Sequence, residues 1–252
     1  MDPHALLART VHADAWEQHG QLRTGRGGAT GAAPGVRLMA SGLPHPQWNN
    51  GDVTDPALVD VAALRAWYEP LAVPWGVRVP AGSAWPHGTF LFRKHLVLRH
   101  AGPVDAPAVR GLQVRVAGPD DLSTVVAVDA AAFDGDPALE SAWIEPHLHA
   151  PGRVTVALAS LDGAPVATGY VLRSDGHAGP AAYLSGLAAV PDLPDVPDRA
   201  VLAAVGAWLL RGAFTAGARV ALAHPDTEEE TVALAGLGLA PAGALDVYVD
   251  LA

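Results

Sequence analysis

A chain of 252 residues, half of them hydrophobic, 17% charged and none of them cysteine, is long enough to bury roughly 70 to 75% of its unfolded surface. That excludes a disordered chain, disulfide frameworks, thiolate metal sites and cysteine nucleophiles. The net charge of −10 is uneven: residues 1–110 carry 10 basic and 8 acidic side chains, residues 111–252 carry 6 and 18, so neither half offers the basic stripe of a nucleic-acid binder.

The start, MDPHALLART, lacks a basic stretch followed by an apolar run, and the longest clean apolar run, Ala200 to Leu210, is far short of the ~20 residues of a membrane span. A soluble, cytoplasmic protein with no membrane partner is expected. Along the chain, a helix is expected over 4–19, then a flexible loop over the glycine-rich stretch 24–35, and a strand over 35–41. That loop lacks the preceding strand and following apolar helix that a phosphate cradle needs. A polar loop with Trp48, Asn49 and Asn50, whose role the sequence does not assign, leads to a helix over 56–69. Asp55 would cap this helix and Pro56 would open it. A strand at 75–79, a short helix near 85–93 and a strand at 95–99, which follows Lys94, the only lysine, complete the first part. The segment His100 to Gly111, with two prolines, two glycines and no periodicity, reads as a linker between domains 1–110 and 111–252.

The second part reads as strand 113–117, helix 120–133, helix 137–149, strands 153–159, 165–173 and 182–190, helix 199–213, strand 219–223, helix 227–236 and strand 245–251. Asp162 and Gly163 supply a hairpin turn. Hairpin strands followed by strands that alternate with helices describe a mixed α/β sheet.

This order of elements, with RVAGPDDLSTVVAVDAAAF, YLSGLAAVP (ending in Val190 and Pro191), GARV and the turn at Leu237, Gly238 and Leu239, resembles the GCN5-related N-acetyltransferase (GNAT) superfamily over about 140 residues. Residues 57–79 also align without gaps to 200–222, with Ala57 on Ala200 and Val77 on Val220. The first part thus looks like a shortened, divergent GNAT-like domain before a complete one, with exchange of a strand or extension of the sheet between the halves as the expected packing.

The resemblance implies acyl-CoA-dependent N-acyl transfer, with acetyl-CoA or another acyl-CoA as donor and the amine of a small molecule as acceptor. It implies that the thioester lies between the fourth and fifth strands, beside Val190, and that the pyrophosphate lies on the N–H groups of the next helix. Here the residues depart from the family's pattern. Pro194 stands where an Arg or Gln belongs, and Pro197 and Arg199 where glycines belong; a proline has no N–H to donate. Asp192, Asp195 and Asp198 surround the place, and one carboxylate ~6 Å from a phosphate costs roughly 2 to 3 kcal/mol at an effective dielectric of 20. That matches or exceeds the ~0.3 to 2 kcal/mol a helix end offers an anion. Two readings stand: Asp198 caps the helix and closes the site, or Arg199 and a rearranged loop still hold an acyl-CoA.

The catalytic tyrosine and asparagine of the family fall on Leu234 and Thr227. The fourth strand offers Tyr183 and Ser185 but no carboxylate, and His224, just after the fifth, is a candidate base. Glu145, His147 and His149 would share a face on a strand and could bind a metal; at the end of a helix they diverge and read as surface or acceptor-site lining, so no metal is expected. His177 reads as a loop residue, Glu228 to Glu230 as the acidic opening of a helix, and the tryptophans as core and interface anchors. The alternative to an acyltransferase is a GNAT-fold protein that has lost the reaction and acts as a binding or regulatory subunit. A homodimer or a partner protein is compatible with both.

Overall fold

The computed structural model describes residues 2–105, 107–191, 193 and 196–251. The chain divides into two compact units, 1–96 with 242–252, and 97–241. The segment His100 to Gly111 lies inside the second unit, and the last strand lies in the first.

The first unit opens with α1 (Pro3–Leu22), capped by Asp2, whose carboxylate accepts from the His4 N–H. Two antiparallel strands follow, β1 (Ala29–Ala33) and β2 (Val36–Ala40), with Ala33 opposite Val36. The intervening turn needs Gly35, at φ +72°. The Thr24–Gly35 stretch is thus in part a strand, not a flexible loop. β3 (Asn49–Val53) pairs antiparallel with β2 and parallel with β4 (Gly76–Pro80). Between them, the expected helix 56–69 is a short 3-10 turn capped by Asp55 and then α2 (Val61–Tyr68), capped by Asp60.

The polar loop acquires a role here. Asn49 is fully buried; its Oδ1 accepts from the Ser41 N–H, and its Nδ2 donates to the carbonyls of Leu43, His45 and Pro74. It replaces backbone partners the loop lacks, at about 1 kcal/mol per bond. The helix expected near 85–93 does not form. Gly88 (φ +76°) ends a turn, and residues 89–100 make one twelve-residue strand, β5 (Thr89–His100). Buried Lys94, Leu96 and Leu98 give that strand its period of two.

The second unit holds β6 (Leu112–Val116), α3 (Leu122–Phe133), α4 (Pro137–Leu148), β7 (Val154–Leu161), β8 (Ala164–Gly176), β9 (Gly179–Ala189), α5 (Asp198–Thr215), β10 (Val220–Ala223) and α6 (Glu228–Gly236). Strands β6 to β9 form an antiparallel meander; β10 lies parallel to β9 after the α5 crossover. Val201, Val205 and Leu209 of α5 are at most 1% exposed against Ala157, Val171, Ala182 and Leu184 of the sheet. Burying each such side chain stabilises by about 1.5 to 3 kcal/mol. Gly217 (φ +100°) ends α5, where the N–H groups of Gly217 and Ala218 take the carbonyls of Phe214 and Ala213.

Each unit therefore contains an antiparallel three-strand meander, a helical crossover and a parallel strand: β1-β2-β3-α2-β4 in one, β7-β8-β9-α5-β10 in the other. The closing strands are exchanged. β11 (Ala240–Val249), from the end of the chain, pairs antiparallel with β4 in the first unit. The end of β5, from the first half of the sequence, pairs antiparallel with β10 in the second.

Candidate functional site

In the second unit β9 and β10 are paired only from Ala181–Val220 to Leu184–Ala223. β10 then ends, while β9 runs on to Ala189. The backbone of β9 beyond Leu184 is thus not paired with β10, and the two strands part there. β9 also carries a bulge: Thr168 faces Ala188 and Tyr170 faces Ser185, so Gly186 and Leu187 share one place on the ladder. Gly186 sits at φ +60°, and a Cβ there would come within 2.9 Å of the Tyr170 ring. The bulge needs glycine at this position.

Tyr183 and His224 meet where the strands part. The Tyr183 Oη lies 2.6 Å from His224 Nδ1, with the rings stacked 5.6 Å apart. His224 Nε2 lies 3.6 Å from the carboxylate of Asp226. Tyr183 is 1% and His224 8% exposed, whereas the Asp226 side chain is 59% exposed. This produces a chain of polar groups from the core to solvent at the strand ends. Sequence reasoning missed Asp226; its spacing of two from His224, ahead of an acidic helix opening, was the available signal.

Ser185, on the same strand face as Tyr183, does not join this pair; it hydrogen-bonds to Tyr170. Tyr170 also takes a hydrogen bond from Trp143 and is stacked on His147 at 4.7 Å. Burial pushes its phenol well above the ordinary range. His147 is accordingly a core residue, 3% exposed, rather than surface, and His149 beside it is exposed. Asp129 of α3 and Glu140 of α4 share a hydrogen bond close to Tyr170. Burial first, and then the Glu140 charge, push the Asp129 carboxyl up to about 8. Burial likewise raises Glu140. No group of three or more His, Asp or Glu side chains suited to a metal ion occurs among the described residues.

The remaining candidates are dispersed. The Val190 N–H donates to the Val166 carbonyl at 2.8 Å, and the residue is half-buried. Arg199 is exposed on the first turn of α5. Pro197 is the N-cap residue of α5, and Asp198 is the first helical residue, with no side-chain hydrogen bond capping the helix end. The N-cap role expected of Asp198 is therefore not filled by its carboxylate. Asp192, Pro194 and Asp195 lie outside the described residues. Leu234 is fully buried in the α5 core cluster, and Thr227 caps α6 through the Glu230 N–H. His177 is an exposed turn residue.

In the first unit the corresponding region is filled. Asp52 of β3 and Arg78 of β4 are register partners. His12 of α1 lies between them, with Nδ1 3.0 Å from the Asp52 carboxylate and Nε2 3.4 Å from an Arg78 Nη. The Arg78 guanidinium stacks 4.0 Å from the Trp16 ring. Burial holds His12 down at about 4, so the neutral ring donates from Nδ1 to Asp52 and accepts from Arg78 at Nε2.

No family model matches the chain, and no curated protein matches it by sequence. Solved structures do match. A GCN5-related N-acetyltransferase from Kribbella flavida is 17% identical with a TM-score of 0.71, over 97% of this chain and 96% of that one. A putative acetyltransferase from the GNAT family from Novosphingobium aromaticivorans gives 17% and 0.62, over 96% of each chain. A tandem GNAT protein from the clavulanic acid biosynthesis pathway gives 15% and 0.55, over 86% of this chain and 78% of that one. At such identities the likeness is one of fold.

Proposed function

We propose that this chain, which has the tandem GNAT fold, is an N-acyltransferase whose second unit moves an acyl group from an acyl-CoA thioester to the amine of a small molecule. The observation that carries this reading is the hydrogen bond of 2.6 Å between Tyr183 and His224 at the point where β9 and β10 part. The parting of the strands offers free backbone for an extended acyl-pantetheine arm. The first unit is the scaffold half, because the buried His12, Asp52, Arg78 and Trp16 occupy its equivalent face.

With its proton on Nδ1 donated to Tyr183 Oη, His224 presents Nε2 as the acceptor. As the amine nitrogen bonds to the thioester carbonyl, its proton passes to Nε2, and the resulting imidazolium faces the Asp226 carboxylate. The bond to sulfur then breaks, and the imidazolium returns the proton to the departing thiolate. Leu234, buried where the resemblance placed a tyrosine acid, cannot do so. His224→Gln is expected to lower kcat by about 10² or more, in the range of general-base removal. Tyr183→Phe, which leaves the ring but removes the hydrogen bond at His224 Nδ1, should cost less. Steady-state kinetics with acetyl-CoA and a panel of amines reads both, and equal activity of H224Q and the natural chain would refute the assignment.

A second reading is favoured by the N-terminus of α5. A proline N-cap without an N–H and the Asp198 carboxylate on the first turn fit a pyrophosphate poorly. On this reading the chain is a binding or regulatory subunit. Calorimetry with acetyl-CoA separates the two: saturable binding with a raised Tm supports the transferase, and no binding at millimolar coenzyme supports the subunit.

A further inference from the structure

A second cleft, of about 570 Å³, lies in the second unit between the sheet and the C-terminal half of α5. Its floor is built from strand residues on the α5 side of the sheet: Thr155, in step with core residue Ala157, and Arg173, in step with core residue Val171. Its wall is the C-terminal half of α5, in which Trp208, Arg211, Gly212 and Thr215 fall at the i, i+3, i+4, i+7 spacing that places side chains on one face, beside Leu209, Ala213 and Ala216. Tyr183 points to the opposite face of the sheet, since its neighbours Ala182 and Leu184 are the ones packed on α5. From Asp198 to Gly212 the helix runs roughly 21 Å at 1.5 Å per residue. The cleft is thus separate from the site proposed above.

Three features give this cleft a chemistry. Two of the six arginines of residues 111–252, in a stretch with 18 acidic residues, line it, and neither Asp nor Glu is among its described lining residues. The Arg173 Nη2 is held by the Gly152 carbonyl at 2.8 Å, while its buried Nε meets no hydrogen-bond acceptor among the described residues. Arg211 is held in turn by the Val104 carbonyl. Lastly, Gly212 sits inside a helix at a cost of about 1 kcal/mol relative to alanine, yet a Cβ there would meet nothing within 4 Å. Neither packing nor a positive φ calls for glycine at that position, and its effect is to leave the wall open between Trp208 and Thr215. The carbonyls of Gly212, Phe214 and Ala213 are taken by the N–H groups of Ala216, Gly217 and Ala218 in that order, which weakens without removing the repulsion an anion meets at this helix end.

We propose that this cleft binds a small aromatic carboxylate, with its ring on Trp208 and its anionic end between Arg173 and Arg211. The test titrates the full chain with sodium 2-naphthoate by calorimetry. Saturable binding is expected, with the neutral 2-naphthylmethanol at least tenfold weaker, as the loss of a charge-assisted hydrogen bond implies. Arg173→Gln and Arg211→Gln should each weaken naphthoate about tenfold. Arg211 is exposed, so R211Q carries the test if R173Q lowers Tm. Gly212→Leu should abolish binding while Tm holds or rises, because leucine is the better helix former. Acetyl-CoA should not compete. Any of four results overturns the proposal: no saturation at millimolar naphthoate, equal affinity for the neutral analogue, binding that survives all three substitutions, or displacement by acetyl-CoA.

Discussion

His12, Asp52 and Arg78 show at the residue scale why part of this protein is not legible in its sequence. They lie 40 and 26 positions apart, on a helix and two strands, and only the parallel pairing of β3 with β4 brings them together. The two ionic groups, Asp52 and Arg78, are at least nine-tenths out of water and lie 3.5 Å apart, so each offsets part of the cost of burying the other. Asp52→Asn leaves the Arg78 charge buried opposite a neutral amide, and a loss of about 3 to 5 kcal/mol is expected, read as a drop in the urea midpoint. A change below about 1 kcal/mol would mean that the cation over Trp16 does not need the carboxylate. Tyr183 and His224, by contrast, were legible as candidates because the resemblance fixes where the two strands end. Their hydrogen bond was not, since it depends on how far those strands stay paired.

Elements were legible where they carry a strong period and illegible where composition opposes the conformation. α5 is rich in alanine and leucine, with Pro197 before it and Gly217 after it, and the helix expected over 199–213 forms as Asp198–Thr215. β1 has the sequence ATGAA, poor in strand propensity, and owes its form to its neighbours. A Cβ on Gly31 would fall 2.6 Å from the Trp67 Nε1, so the strand needs its smallest residue there. Gly31→Val improves local propensity but overpacks the Trp67 contact, and a loss of about 1 to 3 kcal/mol is expected in equilibrium unfolding. A stabilised variant would show that propensity, not packing, limits β1. The start of α5 is tested in the other direction. Pro197→Gly with Asp198→Asn adds an N–H and removes a repelling carboxylate, together about 1 to 2 kcal/mol. Acetyl-CoA should then bind about tenfold more tightly by calorimetry, and unchanged affinity would place the pyrophosphate elsewhere.

At the scale of the whole molecule, the two halves repeat one topology but bury opposite kinds of titrating group, so acid and base act on different units. His12, depressed by burial from 6.5 to about 4, is neutral in the folded state. The unfolded chain binds the proton first, so the stability this gives is complete above pH 6.5 and is lost as pH falls through about 4. Asp52, which Arg78 and His12 hold below its usual value of 3.8 against the opposing effect of burial, extends the acid loss to pH below 3.8. Asp129 behaves in reverse. Raised by burial and by Glu140 from 3.8 to about 8, it keeps a proton that the unfolded chain releases. Its contribution is complete below pH 3.8 and is lost as pH rises through about 8. Hydrogen exchange corrected for intrinsic rates should therefore show protection of α1 falling from pH 6.5 toward 4, while protection of α3 and α4 falls from pH 4 toward 8. Asp129→Asn should reduce the second slope, leaving the part carried by Glu140, which burial also raises, and leave the first. If α1 and α3 lose protection over the same pH range, in the same direction, the opposite burial of the two groups does not govern the pH response.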